Sequence, residues 1–217
     1  MAARTLLQLR ADVLTEADLT AGQVDDDDVT RLVNEQLGEL YELLVQSFDG
    51  LFSTALTFTL VDADQGARAL PTDLYQIVDL EDRADTTSPR SLPAIEFRDR
   101  NTTAVKGYCA QGTSLLVRPI TQGPGTYRLT YTPSFTDLVA DTDAVTYPQN
   151  WHQLAVLGAA IRLRNIQELS ASGLEQRYAD LKTRIQNAAR KRQRHKVRDV
   201  RSERSDVAAW AEDDLVK

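Results

Sequence analysis

Between Val29 and Phe48 the apolar residues fall at helical spacing: Val29, Leu32, Val33, Leu37, Leu40, Tyr41, Leu44, Val45 and Phe48. A stripe of this period sustained over roughly five turns predicts one long amphipathic helix over 26–48. Asp25 to Asp28 stand at its start, where carboxylates cap free amides and oppose the positive end of the helix dipole. The alternating ligands, central glycine and distal Glu of a Ca²⁺ loop are absent from this run. Asp49-Gly50 follows the stripe, and the glycine is expected at the C-terminal cap.

A stripe that long needs other elements to bury it, and the rest of the chain supplies candidates. Leu6, Leu7, Leu9, Val13 and Leu14 predict a helix over about 4–17, followed by a loop over 18–24. At the other end, Tyr147-Pro148-Gln149-Asn150-Trp151 opens a nearly all-apolar run from Leu154 to Leu163. That run predicts a helix over about 151–170 buried on several sides, with Asn150 as N-cap and Gln153 completing a capping box. Gly158-Ala159-Ala160 would let another element approach closely. A second helix is expected over about 173–195, capped by Ser172 with Glu175, its stripe formed by Leu174, Tyr178, Leu181, Ile185 and Ala188.

Between these helical ends the period changes from 3.6 to 2. Leu56, Phe58 and Leu60 alternate with threonines in 54–61, a half-buried strand, followed by a polar turn over 62–67 containing Gly66. Residues 75–82 form a second strand, with Tyr75, Ile77 and Asp79 on one face. Residues 92–97 could start a short helix. Residues 108–117 read as a tight hairpin around Gln111-Gly112-Thr113. Pro119 and Gly123-Pro124-Gly125 lead to a strand with Tyr127, Leu129 and Tyr131 on one face, closed by Pro133. The expected fold is α+β: a mainly helical bundle built from the N- and C-terminal helices, with a small antiparallel β subdomain inserted over about 54–133. A body over 1–189 then carries an extended C-terminal arm over 190–217.

The charge is unevenly placed. Net charge is -7, yet residues 182–204 hold ten Lys/Arg against Asp199 and Glu203, or +8, which leaves -7 less 8, or -15, for the rest. Beyond Ala189 the apolar stripe stops, and residues 190–204 offer only Val197 and Val200 for burial. Such a segment gains too little from burial to offset its ordering entropy and is expected to be flexible in a free monomer. It has three readings: a solvated face, a phosphate-binding arm, or a segment that docks on a protein partner and folds there. No aromatic interleaves the basic residues for base stacking, and docking is preferred. Trp210, in the acidic segment that follows, suits a partner anchor or a fold back onto the body.

Other chemistry is sparse. One cysteine, Cys109, excludes an intrachain disulfide and fits a reducing compartment. With only His152 and His195 besides, no zinc spacing forms. Asp62-x-Asp64 and Asp141-x-Asp143 sit in turn contexts and read as solvated turn residues rather than metal ligands. No nucleophile elbow, phosphate loop or dinucleotide fingerprint occurs, and no secretory or membrane-spanning run is seen. No catalytic, cofactor-binding or metal-binding residue is assigned, and the chain is expected not to be an enzyme.

One resemblance covers residues 5–195. The helix ending in LVNEQLGELYELL (32–44), Leu70-Pro71-Thr72-Asp73-Leu74-Tyr75, and Leu129-Thr130-Tyr131-Thr132-Pro133 come in order. Asp141-Thr142-Asp143 and Tyr147-Pro148-Gln149-Asn150-Trp151 then open an Ala-rich helix, with a second helix and a basic tail behind. In that order and spacing the chain resembles the head-to-tail adaptor (connector) proteins of tailed bacteriophages. The resemblance implies a non-enzymatic virion protein of the neck, assembled in the host cytoplasm. Such adaptors form a homo-oligomeric ring, usually of twelve copies, beneath the portal; it extends the DNA channel and presents a platform to tail, stopper or nozzle proteins. Partners would be the portal, tail proteins, further copies of the chain and the genomic DNA that passes through, with no membrane. By similarity and charge the portal-contacting residues would be Arg190, Lys191, Arg192, Arg194, Lys196, Arg198, Arg201, Arg204 and Trp210. The alternative is a DNA-associated protein that grips duplex phosphates with the same arm.

Overall fold

The computed structural model describes residues 3–48, 50–84, 88–99, 106–119 and 124–191. In chain order the elements are β1 (Arg4–Thr5), α1 (Leu6–Ala17), α2 (Asp26–Ser47), β2 (Thr54–Leu60), β3 (Ala67–Ala69), β4 (Leu74–Asp82) and β5 (Arg90–Ser91). Then come β6 (Gly107–Gln111), β7 (Ser114–Arg118), β8 (Gly125–Pro133), β9 (Ala144–Val145), α3 (His152–Ile166) and a helix α4 over 172–191. Helices and antiparallel sheets share the chain, so the class is α+β. The chain divides into two compact units, Met1–Asp49 with Phe135–Lys217, and Gly50–Ser134. Helix dominates the first unit and sheet the second, so "mainly helical" describes one unit and not the chain.

In the helical unit each helix buries the stripe its sequence carries. α1 turns Leu6, Leu9, Val13 and Ala17 inward, and α2 buries Val29, Leu32, Val33, Leu37, Leu40, Tyr41 and Leu44. α3 is buried on nearly every side from Leu154 to Ala160 and packs against both. Its Gly158 meets α2 closely: a Cβ there would lie 2.7 Å from Cδ and 3.2 Å from Cγ of Gln36, with the amide oxygen nearer still. α4 contributes Ile185 and Ala189 to the core. Phe48, just past α2, stacks against Trp151 at 5.0 Å.

The helix ends show where local signals hold. Asp25 caps α2, its side chain accepting from the Asp27 amide at 3.0 Å, while Asp26, Asp27 and Asp28 fill the first turn. α1 begins two residues later than expected because Arg4–Thr5 pairs with Ala144–Val145 as a short antiparallel ladder. Thr5 then caps α1 in a reciprocal box with Gln8. Gly50 is not the residue directly after the cap of α2; Phe48 holds the cap in an extended conformation, and Gly50 makes the turn beyond it.

Two expected caps are not formed. Asn150 ends a 3₁₀ turn over Pro148–Asn150 at φ 59, and the Trp151 amide donates to the Pro148 carbonyl at 3.0 Å. This turn runs directly into α3, so Trp151 occupies the cap position without a side-chain bond, and Gln153 donates instead to Glu16 of α1 at 3.1 Å. Ser172 is likewise the first residue of α4 rather than its cap, because the Ala171 carbonyl accepts from Leu174 and Glu175. α3 itself stops at Ile166, where Glu168 at φ 57 reverses the chain and the Leu169 amide reaches back to the Arg164 carbonyl.

The second unit holds a four-stranded sheet ordered β2-β8-β4-β5 and a three-stranded sheet ordered β3-β7-β6, all neighbours antiparallel. Phe58, Leu60, Leu80, Tyr127, Leu129 and Tyr131 from the first sheet share one core with Leu115 and Val117 from the second, and Leu92 joins them. β6 and β7 form the expected hairpin, with Gln111 opposite Ser114 across Gly112-Thr113. Gly66, at φ 70, lies so close to β7 that a Cβ would stand 2.6 Å from the Val117 carbonyl oxygen. That approach lets the Val117 amide donate to the Gly66 carbonyl at 2.7 Å.

β4 departs from simple alternation. Its ladder with β8 shifts register between Leu74 and Gln76 and again between Ile77 and Asp79. Each bulge adds a residue to the repeat, so Leu74, Ile77 and Leu80 face the core three apart, while Tyr75 and Val78 are 45% and 44% exposed. The expected face of Tyr75, Ile77 and Asp79 is therefore replaced. The start of a helix over 92–97 gives way to an extended stretch bridged to β6 through Ala94 and Tyr108; only Phe97–Asp99 turns, as 3₁₀.

Candidate functional site

Along the outer face of α2 runs a cleft of about 590 Å³ lined by Asp27, Glu35, Glu39 and Glu42 with Asp137 from the loop after β8. Arg31 lies among them, donating to Glu35 at 3.0 Å and Asp28 at 3.3 Å; these bonds, Glu35 foremost, hold its guanidinium above the ordinary value. Arg162 of α3 bridges Glu35 at 2.6 Å and Glu39 at 2.5 Å. Phe135 closes the cleft, tilted against Tyr41 at 5.9 Å. Charges compensated on an exposed helix face contribute little stability. They do give the face a defined polar pattern that a protein partner can read.

The loop over 135–143 is held in place by contacts that sequence reasoning missed. Asn34 of α2 donates to the Leu138 carbonyl at 2.9 Å and accepts from the Leu138 amide at 3.0 Å. Asp143 accepts from the Val139 and Ala140 amides at 2.8 Å each, and these bonds keep its carboxyl below its ordinary value. Asp141 pairs with Arg10 of α1 at 2.6 Å. Asp141-x-Asp143 thus works as a clamp, which fits the turn reading and refines it. Asp64 likewise accepts from the Val61 amide within its own turn. Nothing in the pattern around Asn34 signals its role, because its partner lies 104 residues away.

α4 is tied to the rest of its unit by Arg177, which donates to both carboxylate oxygens of Glu16 at 2.7 and 3.0 Å. Arg164 adds bonds to the carbonyls of Ala17 and Ser170. At the end of this anchored helix Arg190 and Lys191 are exposed. Arg192, Arg194, Lys196, Arg198, Arg201, Arg204 and Trp210 lie outside the described residues. His152 is buried, and burial holds it below its ordinary value, an effect Arg4 adds to and Asp12 opposes. Cys109 is buried and unpaired with any other cysteine. Among the described residues no group of three or more His, Cys, Asp or Glu could hold a metal ion, and no helix is long and apolar enough to cross a membrane.

The helical unit thus carries a polar outer face on α2, and the sequence that follows α4 is basic. The family model described as SU10 adaptor protein matches residues 4–204. The chain belongs to the SU10 adaptor family. It is therefore a bacteriophage adaptor and a structural phage protein. The match spans both units and runs through Arg204, so the basic run lies within this adaptor's family extent and Trp210 falls beyond it. No curated protein matches the chain.

Proposed function

We propose that this chain is a subunit of the ring that joins the portal to the tail, with residues 190–217 as its portal-docking segment. The observation that carries the reading is the family match across residues 4–204, which takes in the folded units and the basic run together. Charge separation supports it. An excess of -15 outside residues 182–204 suits a channel wall past which DNA slides, while +8 concentrated in the second half of α4 and the run behind it suits an acidic or mixed groove on a partner. The subunits form a closed ring, twelve by family resemblance, through heterologous contacts between neighbours. The tail side receives stopper or nozzle proteins, the complex sits in the virion neck, and it assembles in the host cytoplasm. The chain performs no catalysis and uses no cofactor.

The test is co-sedimentation with purified portal. Full-length chain is expected to bind, and a chain ending at Lys191 is expected to keep its helical circular dichroism and lose portal binding. Binding of the truncated chain at undiminished affinity overturns the assignment of the arm. A parallel titration with duplex DNA separates the alternative: useful affinity near physiological salt, falling steeply as salt rises, favours a phosphate-gripping arm.

A further inference from the structure

β2 forms one edge of the four-stranded sheet. β8 pairs along one side of it, and among the described residues no strand pairs along the other. Natural sheets protect such edges with charge, proline, a bulge or shortness. β2 itself has none of these devices, although the Arg68 guanidinium of β3 lies 5.7 Å from the centre of the Phe58 ring. Its sequence, TALTFTL, holds no charged residue and no proline, and its seven residues pair with β8 without a register shift. Residues Thr54 to Thr57 are all exposed. The opposite edge of the sheet, β5, is only two residues long.

We propose that this edge pairs antiparallel with β2 of a second copy of the chain, about a two-fold axis through Thr57. In that register Thr57 faces Thr57, Leu56 faces Phe58, Ala55 faces Thr59 and Thr54 faces Leu60. Leu56, 37% exposed, would join the apolar layer beside Phe58 of the other copy, and threonine would meet threonine or alanine on the solvent face. Slipping by one residue would set Leu56 against Thr57 and put the apolar face of one copy on the solvent side of the other. Charge permits the approach: each copy carries -7, but the neutral strand brings no like charges opposite each other. A seven-residue edge is small beside the roughly 1,200–2,000 Å² of stable interfaces, so the dimer is weak and concentration-dependent. A two-fold contact differs from the head-to-tail contact that closes a ring, so it belongs to the free protein and does not depend on the portal reading.

Sedimentation velocity of the purified full-length protein over a concentration series is expected to show a monomer–dimer equilibrium. Thr57→Glu places a carboxylate opposite Arg128 within its own sheet and opposite a second carboxylate across the axis. The variant is expected to stay folded and to weaken the dimer roughly tenfold or more. Mixing Thr57→Glu with Thr57→Lys copies should restore association. Under mild oxidation Thr57→Cys is expected to cross-link into dimers, and Ala55→Cys is not, because residue 55 faces residue 59. A protein monomeric at every concentration, an oligomer that Thr57→Glu leaves unchanged, or equal cross-linking at 55 and 57 overturns the proposal.

Discussion

Gly158→Ala tests the closest approach in the helical unit. Glycine to alanine inside a helix ordinarily stabilises by about 1 kcal/mol through helix propensity. Here the new methyl would stand 2.7 Å from Cδ of Gln36 and 3.2 Å from its Cγ, so the glutamine must move. Gln36 is only 4% exposed, and the space beside it is a cavity of about 70 Å³ shared with Leu40, Leu43 and Leu154, so its amide can move only by leaving its present surroundings. Because the clash is with the end of a flexible side chain, overpacking costs about 1–2 kcal/mol, the lower part of the usual range, and displacing a buried amide from its surroundings adds on the order of 1 kcal/mol more. The net expectation is destabilisation by about 1–2 kcal/mol. In a Gln36→Ala background the obstacle is gone, and the same Gly158→Ala change should stabilise by about 0.5–1 kcal/mol. The sign of one substitution therefore reverses between two backgrounds, a coupling of roughly 1.5–3 kcal/mol. Urea unfolding followed by helical circular dichroism, on the wild type, both singles and the double, measures it. A stabilising Gly158→Ala in the wild type, or an equal effect in both backgrounds, refutes the reasoning.

Three further outcomes are expected. Because burial keeps His152 below its ordinary value of 6.5, the unfolded chain takes up the proton first as pH falls. Stability from this group is then complete above that value and declines below it; His152→Leu should flatten the loss seen in urea midpoints between about pH 7.5 and 5.5. Leu80→Ala empties a fully buried site in the sheet unit and should cost about 2–5 kcal/mol, whereas Leu56→Ala on the exposed edge should cost less than about 1 kcal/mol in thermal melts. Arg10→Ala removes the bond to Asp141; with Asp141 largely exposed the loss should be about 1 kcal/mol, accompanied by faster proteolysis within 135–143.

The sequence was most informative where a pattern repeats. The stripe from Val29 to Leu44 predicts α2 within a residue or so of its ends because many positions vote together and Asp25 marks the start. Tyr127, Leu129 and Tyr131 predict the inward face of β8 for the same reason. The misses share another cause. The bulges of β4 arise from pairing with β8 and leave no glycine or proline behind, so Leu80 could not be told from its neighbours. The ladder of Arg4–Thr5 with Ala144–Val145 is too short to have a period. Asn34 and Gln36 look like ordinary polar positions on a helix until a loop and a helix more than a hundred residues on are placed against them. At the cap of α3, the local rule for Asn150 lost to the turn started by Pro148. The arm is expected from charge, from the end of the apolar stripe at Ala189 and from the resemblance, and of it only Arg190 and Lys191 lie among the described residues.

The division of the chain has a consequence for biosynthesis. Gly50–Ser134 is continuous, so that unit can fold as soon as it leaves the ribosome. The helical unit must wait. α1 and α2 are made first, yet the helix that covers their apolar stripes, α3, follows only after the whole sheet unit has been synthesised. Throughout that interval Leu32, Leu37 and Leu40 lack their partner surface, and a chain released before Leu163 would carry a finished sheet unit beside an open helical pair, a natural substrate for chaperones and proteases. Only chains translated through α3 and α4 can complete the helical core, which gives quality control a point to act before a subunit is finished.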